Sequence, residues 1–305
     1  MKRALIWLIA MLLLGSSAMG QQMNGFDLSK ASIPIREIVG GGPPRDGIPA
    51  IDEPKFVPAQ EARFLRDDDI VISFTHAGIT RAYPLRILIW HEIVNDIIGK
   101  KPVAITYCPL CGTAMVFDRT ISGKVRRLGV SGLLYQSDVL MYDRESNSLW
   151  SQLMMQGVSG SGNGIRLSLL PSEHLTWSAW RERHPQGQVL STETGHPRNY
   201  GAQAYASYFA TDQTMFPVPH HRNELRNKEW IIGIILDGIA KAYPVSEMPE
   251  APIKDRIGQH EITLRYDRAS RQPGVQDAKG NDIPYVVAFW FAWQAFYPKT
   301  ELWKP

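Results

Sequence analysis

Cys108-Pro109-Leu110-Cys111-Gly112 contains the only two cysteines of the chain. Two thiols three residues apart can chelate a soft metal, cycle between dithiol and disulfide, or lock a turn. In a thioredoxin-like setting the first Cys caps a helix whose N-terminus stabilises the thiolate. In a metal knuckle both sulfurs project from a hairpin tip, and a following Gly lets the backbone turn beneath them. Here the apolar run 103–107 precedes the pair. Thr113, Ala114, Met115, Val116 and Phe117 follow it, with Met115 and Phe117 alternating with smaller residues. That pattern predicts strand, knuckle, strand, and the local context points to metal.

A knuckle supplies two ligands, so a third must come from elsewhere. His91 is the candidate. Residues 85–98, opened by Pro84, are expected to form a helix with Ile89, Trp90, Ile93, Val94, Ile97 and Ile98 on one side. His91, Glu92, Asn95 and Asp96 then make a polar stripe on the other. Cys108, Cys111 and His91 are the expected metal ligands, and Glu92, Asn95, Asp138, Met141 and Gln152 are candidates for the layer behind them. His91-Glu92-Ile93-Val94-Asn95 approaches the His-Glu-x-x-His pattern of zinc peptidases, but Asn95 stands where the second His is needed. Met115, Met154 and Met155 are better explained as core filler than as copper ligands. Phe-Asp-Arg or Tyr-Asp-Arg recurs at 117–119, 142–144 and 266–268, which marks Asp118 and Asp143 as strand-end turn residues.

Two thiolates and an imidazole suit Cu(I), so copper is expected ahead of zinc. A different chemistry on the same residues is a thiol oxidoreductase, with Cys108 or Cys111 as catalytic nucleophile and His91 moving the proton. A plain disulfide in a binding or structural module is the third alternative. Whether the protein is an enzyme stays open at this level. No nucleophile elbow, phosphate loop or dinucleotide fingerprint is present.

The N-terminus sets the compartment. Lys2 and Arg3 precede an apolar run at 4–14, and Ala18-Met19-Gly20 offers small residues for cleavage after Gly20. Residues 1–20 are therefore expected to be an export signal, and the remainder a periplasmic or secreted protein. No later stretch is long and apolar enough to predict a membrane span. A net charge of +3, from 33 Lys and Arg against 30 Asp and Glu, gives no basic block for nucleic acid. Any partner is then expected to be a periplasmic redox or metal-handling protein, and the only cofactor a copper or zinc ion.

The elements that must position the thiols are repeated. Residues 70–84 align without a gap to 230–244, with Ile72, Gly78, Ile79, Ala82, Tyr83 and Pro84 matching Ile232, Gly238, Ile239, Ala242, Tyr243 and Pro244. After a one-residue gap, Asp96, Ile98, Gly99 and Tyr107 match Asp255, Ile257, Gly258 and Tyr266. Each copy reads as strand, Gly turn, strand, a Pro-started segment and another strand. The expected architecture is α+β: one large β-rich domain with an internal pseudo-duplication. It comprises an extended Gly/Pro-rich arm at 21–60 and a duplicated domain at 61–305, with copy one at about 65–155 and copy two at about 225–300. Residues 193–228 lack periodicity and are expected to be a long loop. Features kept in both copies are scaffold; features in one copy are candidates for chemistry. Cys108 faces Asp267 and Cys111 faces Ser270, so the chemistry belongs to copy one.

Thr106 to Thr113, Gly129 to Tyr135, Ser137 to Arg144 and Ser148 to Gln152 together resemble the bacterial domain-of-unknown-function family 3179. The resemblance extends from Gly42-Pro43-Pro44-Arg45-Asp46-Gly47 to the aromatic segment Phe289–Pro298. It implies a family and carries no established activity.

Overall fold

The structure, a computed structural model, describes residues 22–305. The expected export signal at 1–20 lies outside the described residues. Among those described, no helix is long and apolar enough to cross a membrane.

The repeated sequence folds into repeated structure. Strands Ile70–His76 and Ile79–Pro84 form a hairpin across Ala77 and Gly78; Trp230–Leu236 and Ile239–Pro244 form its counterpart across Asp237 and Gly238. Both turn residues have positive φ in each case, the two-residue turn whose twist suits a hairpin. The registers coincide, with Ile72 opposite Tyr83 and Ile232 opposite Tyr243. A second hairpin follows in each copy: Ile93–Ile98 with Lys101–Cys108, and Ile253–Ile257 with His260–Asp267. The shared residues tie the two hairpins together. Tyr83 Oη donates to Asp96 at 2.5 Å and Tyr243 Oη to Asp255 at 2.9 Å. Each carboxylate also pairs with a cation of the first hairpin, Arg81 at 2.7 Å and Lys241 at 2.8 Å.

The structural repeat reaches beyond the aligned residues. Glu173–Thr176 pairs with the first hairpin of copy one, as Val286–Phe289 does with that of copy two. Each leads into a short helix, Trp177–Arg183 or Trp290–Phe296. Equivalent tryptophans, Trp177 and Trp180 or Trp290 and Trp293, are buried beneath. Each helix returns to a strand running parallel to the hairpin. The copies embrace reciprocally. Thr176 N–H donates to Ser270 C=O at 2.9 Å, and Phe289 N–H donates to Cys111 C=O at 2.8 Å, the same bond on opposite sides of a pseudo-twofold axis. Val287 bridges to Ala114, so copy-two strands and the thiol hairpin merge into one seven-stranded sheet.

Copy one differs by an insertion between Asp118 and Glu173. Its strands Leu128–Tyr135, Asp138–Asp143, Leu149–Ser151 and Gln156–Gly157, with Ile38–Gly40 from the arm, form a five-stranded sheet. Alternation along the thiol hairpin sends Ile105, Tyr107, Ala114 and Val116 to one core and Ala104, Cys108, Met115 and Phe117 to the other, where the inserted sheet packs. The thiols thus face the insertion.

One element departs from expectation. The helix opened by Pro84 stops at His91, and residues 93–98 are a strand. The apolar residues beyond the break, Ile93, Val94, Ile97 and Ile98, are all β-branched. They pair along Lys101–Cys108, whose backbone groups need that partner. Glu92 makes the reversal in the left-handed conformation, at φ 58°. The polar stripe on a continuous helix therefore does not exist.

Candidate metal centre

The thiol hairpin joins Lys101–Cys108 to Thr113–Asp118, closing with Cys108 opposite Thr113. No helix follows Cys111, so the thioredoxin-like setting does not apply. Gly112 sits at φ 64°, and a Cβ there would lie 2.6 Å from the Trp230 ring. Only glycine fits both the backbone and the space. The roof over the thiols is the tip of the inserted hairpin, where Tyr135 pairs with Asp138 across Gln136 and Ser137. Both turn residues are left-handed, at φ 53° and 66°. That conformation costs a non-glycine residue about 1 kcal/mol, and it delivers two groups to the sulfurs. Ser137 C=O accepts from Cys111 Sγ at 3.4 Å and lies 4.0 Å from Cys108 Sγ. Asp138 brings a carboxylate.

Ligand atoms of Cys108, Cys111 and Asp138 all lie within 4.8 Å of one another, and all three residues are buried. Asp138 Oδ2 accepts the Leu153 N–H at 2.9 Å, whereas Oδ1 has no hydrogen-bond partner of ordinary geometry. Ser137 Oγ at the same hairpin tip is likewise buried without a partner, as is Oε1 of Gln152, whose Nε2 reaches Thr106 and Thr113 of the thiol hairpin. Such groups are rare and usually mark a ligand, an ion or water.

The electrostatics agree. Burial pushes both thiols above their ordinary range, Cys111 furthest. Burial also lifts Asp138 to about 7 and, with the Asp138 charge beside it, Glu92 to about 8. Neither carboxylate has an ion-pair partner among the described residues. Burial thus favours the protonated form of all four acids.

His91 is not in this group. Its Nδ1–H donates to Pro49 C=O at 2.8 Å, and Nε2 accepts from Tyr200 Oη at 2.7 Å. Burial holds the ring neutral by lowering its pKa to about 4, and the single lone pair of that form is engaged by Tyr200, so none is left for a metal. His91 anchors the 193–228 segment instead. Asn95 is also elsewhere, bonding Asp52 at 2.6 Å and both backbone groups of Leu128, which staples the insertion to copy one. Gln152 does reach the hairpin: its Nε2 donates to Thr106 Oγ1 at 2.7 Å. Met141 is buried in the same apolar cluster as both cysteines. Asp143 is a turn residue, accepting from Ser146 N–H at 2.7 Å and Trp150 Nε1 at 2.9 Å.

The residues missed from sequence are Tyr205 and Tyr208. Tyr208 Oη donates to Leu110 C=O at 2.8 Å, clamping the knuckle. Burial, with Glu92 and Cys108 nearby, pushes the Tyr205 phenol up to about 12. The only signal was a run of tyrosines, at 200, 205 and 208, in an otherwise aperiodic stretch.

No curated protein and no solved structure matches this chain. A family model does, that of a protein of unknown function, DUF3179, over residues 45–300. With most of its length matched, from the arm through the insertion and both copies of the repeat, the chain belongs to that family.

Proposed function

We propose that this is an exported metal-binding protein in which Cys108, Cys111 and Asp138 hold one transition-metal ion, zinc ahead of copper. The observation that carries this is the convergence of three buried ligand atoms, from Cys108, Cys111 and Asp138, within 4.8 Å of one another. Copper suits two thiolates with an imidazole as third ligand, and the His91 imidazole is engaged by Pro49 and Tyr200. A carboxylate oxygen is harder, and two thiolates with an oxygen suit the borderline Zn²⁺ better than Cu⁺. A divalent ion also neutralises more of the charge that appears when the thiols and Asp138 deprotonate. Export fits late metal loading, since the chain would fold and acquire its ion in the same compartment.

The oxidoreductase alternative uses the same thiols but asks for a reactive, accessible thiolate. Cys108 and Cys111 are buried and their acidity is suppressed, which weighs against it.

The test is metal content of the purified protein by mass spectrometry, with thiol titration before and after reduction. One zinc per chain is expected, lost in Cys108→Ser and reduced at least tenfold in occupancy in Asp138→Asn. His91→Ala is expected to keep the metal and lose thermal stability. A metal-free protein with a readily reduced disulfide would favour the oxidoreductase; a metal-free protein with free, unreactive thiols would sink both.

A further inference from the structure

On the opposite side of the thiol hairpin, a cavity of about 690 Å³ lies on the pseudo-twofold axis. Its walls include equivalent residues of the two copies, such as Ile70 and Trp230, Leu85 and Val245, and Tyr107 and Tyr266, closed on one side by Tyr205 and its neighbours in residues 201–209. The volume is that of sites for small organic molecules. The scaffold is symmetric, but the chemistry of the two ends is not.

The end near Phe289 and Cys111 is aromatic. The Trp230 and Phe289 rings are 4.3 Å apart, and Phe209 adds a third ring at 6.3 Å from Phe289. The opposite end, where Thr176 meets Ser270, is polar and basic. It carries Arg271, next to Ser270, and His174, two residues before Thr176. His174 is 6% exposed, and its Nε2 has no hydrogen-bond partner. Its copy-two equivalent is Val287, so the scaffold does not call for an imidazole there.

The charges are unequal as well. Asp69 is taken by Arg86 at 2.8 Å, and the Lys228 ammonium by the Thr211 carbonyl at 2.7 Å. A carbonyl leaves that ammonium its charge, so Arg66, Lys228 and Arg271, none in an ion pair among the described residues, stand against Asp68 alone. Arg271 is held at φ 53°, in the position that Gly112 fills in copy one. A long cation thus occupies a left-handed site where glycine is the relaxed choice.

We infer that this cavity is a binding site for a small amphipathic anion, its apolar or aromatic body against Trp230 and Phe289 and its carboxylate on Arg271 and His174. The proposal is independent of the metal centre, because the thiols face the other side of the sheet. Burial keeps His174 neutral, so it contributes a hydrogen bond while Arg271 supplies the charge.

Calorimetry on the purified full chain with 6-phenylhexanoate, and with 6-phenylhexanol as the uncharged control, tests the proposal. Saturable binding is expected, with the carboxylate at least tenfold tighter than the alcohol. Arg271→Asn, which tolerates the same backbone, should cut that preference below threefold without lowering the melting temperature. Val287→Phe should weaken both probes by filling the cavity. No saturable binding at millimolar probe, equal binding of acid and alcohol, or an unchanged preference in Arg271→Asn would overturn the assignment. Cys108→Ser should bind the carboxylate as the parent does, whether or not it has lost a metal; a weaker affinity there would overturn the separation of the two sites.

Discussion

The loop Cys108–Gly112 and its counterpart Asp267–Arg271 are the same turn in the two copies, and they close in opposite ways. In copy two, Asp267 Oδ1 accepts the N–H groups of Ala269 at 2.9 Å and Ser270 at 3.3 Å. Those bonds hold the pKa of this exposed carboxylate below its ordinary value. In copy one the position of that carboxylate is a thiol. It cannot cap the turn, and a second thiol replaces Ser270. The inserted hairpin then buries both under Ser137 and Asp138. The bond from the neighbouring copy survives in each, from Thr176 to Ser270 and from Phe289 to Cys111. The scaffold therefore accepts Asp and Ser at this turn without loss. Copy one departs from that inexpensive solution, and it does so where an added sheet brings a buried carboxylate to the two thiols.

Making copy one like copy two should have the largest effect. The double change Cys108→Asp, Cys111→Ser is expected to abolish metal retention, at least a thousandfold in affinity, since both sulfur ligands go. Zinc titration against a chromogenic chelator would measure it. The reciprocal change, Asp267→Cys with Ser270→Cys, should not create a comparable site, because nothing equivalent to Asp138 roofs that turn. If the copy-two pair bound zinc with similar affinity, the insertion would be irrelevant to the site.

The shared Tyr–Asp bond offers a smaller contrast. Tyr83 is fully buried and its Asp96 partner 5% exposed, whereas Asp255 sits 19% exposed beside Lys241. Removing a hydroxyl from a buried charged acceptor costs more than from a partly hydrated one. Tyr83→Phe is expected to lose about 2 kcal/mol in urea unfolding, as for a bond to a charged group, and Tyr243→Phe about 1 kcal/mol, as for an ordinary one. Equal losses would mean that the two copies are energetically alike and that burial of copy one is incidental.

These contrasts also show what could be read from residues alone. The thiol hairpin was legible because its signals are local: β-branched alternation on both sides and a Gly after the second Cys. The first hairpins were legible because the repeat preserves their spacing. The second part of the repeat was not. The insertion shifts the offset between copies, so Trp177 and Trp290 no longer stand at the spacing that relates Tyr83 to Tyr243. His91 was misplaced for a related reason. Ile93, Val94, Ile97 and Ile98 satisfy a helical face as well as a strand, and only pairing with Lys101–Cys108 decides between them. Asp138 was visible as a polar residue in a strand. Its meeting with Cys111 depends on two left-handed residues at the hairpin tip, Gln136 and Ser137, which carry none of the glycine or asparagine that would have announced the turn.

The subtlest difference between the copies is their response to pH. Glu92 and Asp138 have no acidic equivalents near the copy-two turn, and both titrate above their ordinary values, at about 8 and about 7. In the unfolded chain they lose their protons near 4.5 and 3.8. Between those limits the folded, metal-free protein binds more protons than the unfolded one, so its stability falls as pH rises. This contribution is fully present below about pH 4 and lost as pH passes through 7 to 8. A metal reverses the sign by replacing the protons, so metal affinity rises over the same interval. Melting of chelator-treated protein between pH 5 and 8 should show the decline, at roughly 2–4 °C per kcal/mol for a chain of this size. Glu92→Gln should flatten part of it, and saturating zinc should remove it. A metal-free protein whose melting temperature is level or rises from pH 5 to 8 would mean that these carboxyls are already ionised. The cluster would then be hydrated, and protons would not compete with a metal there between pH 5 and 8.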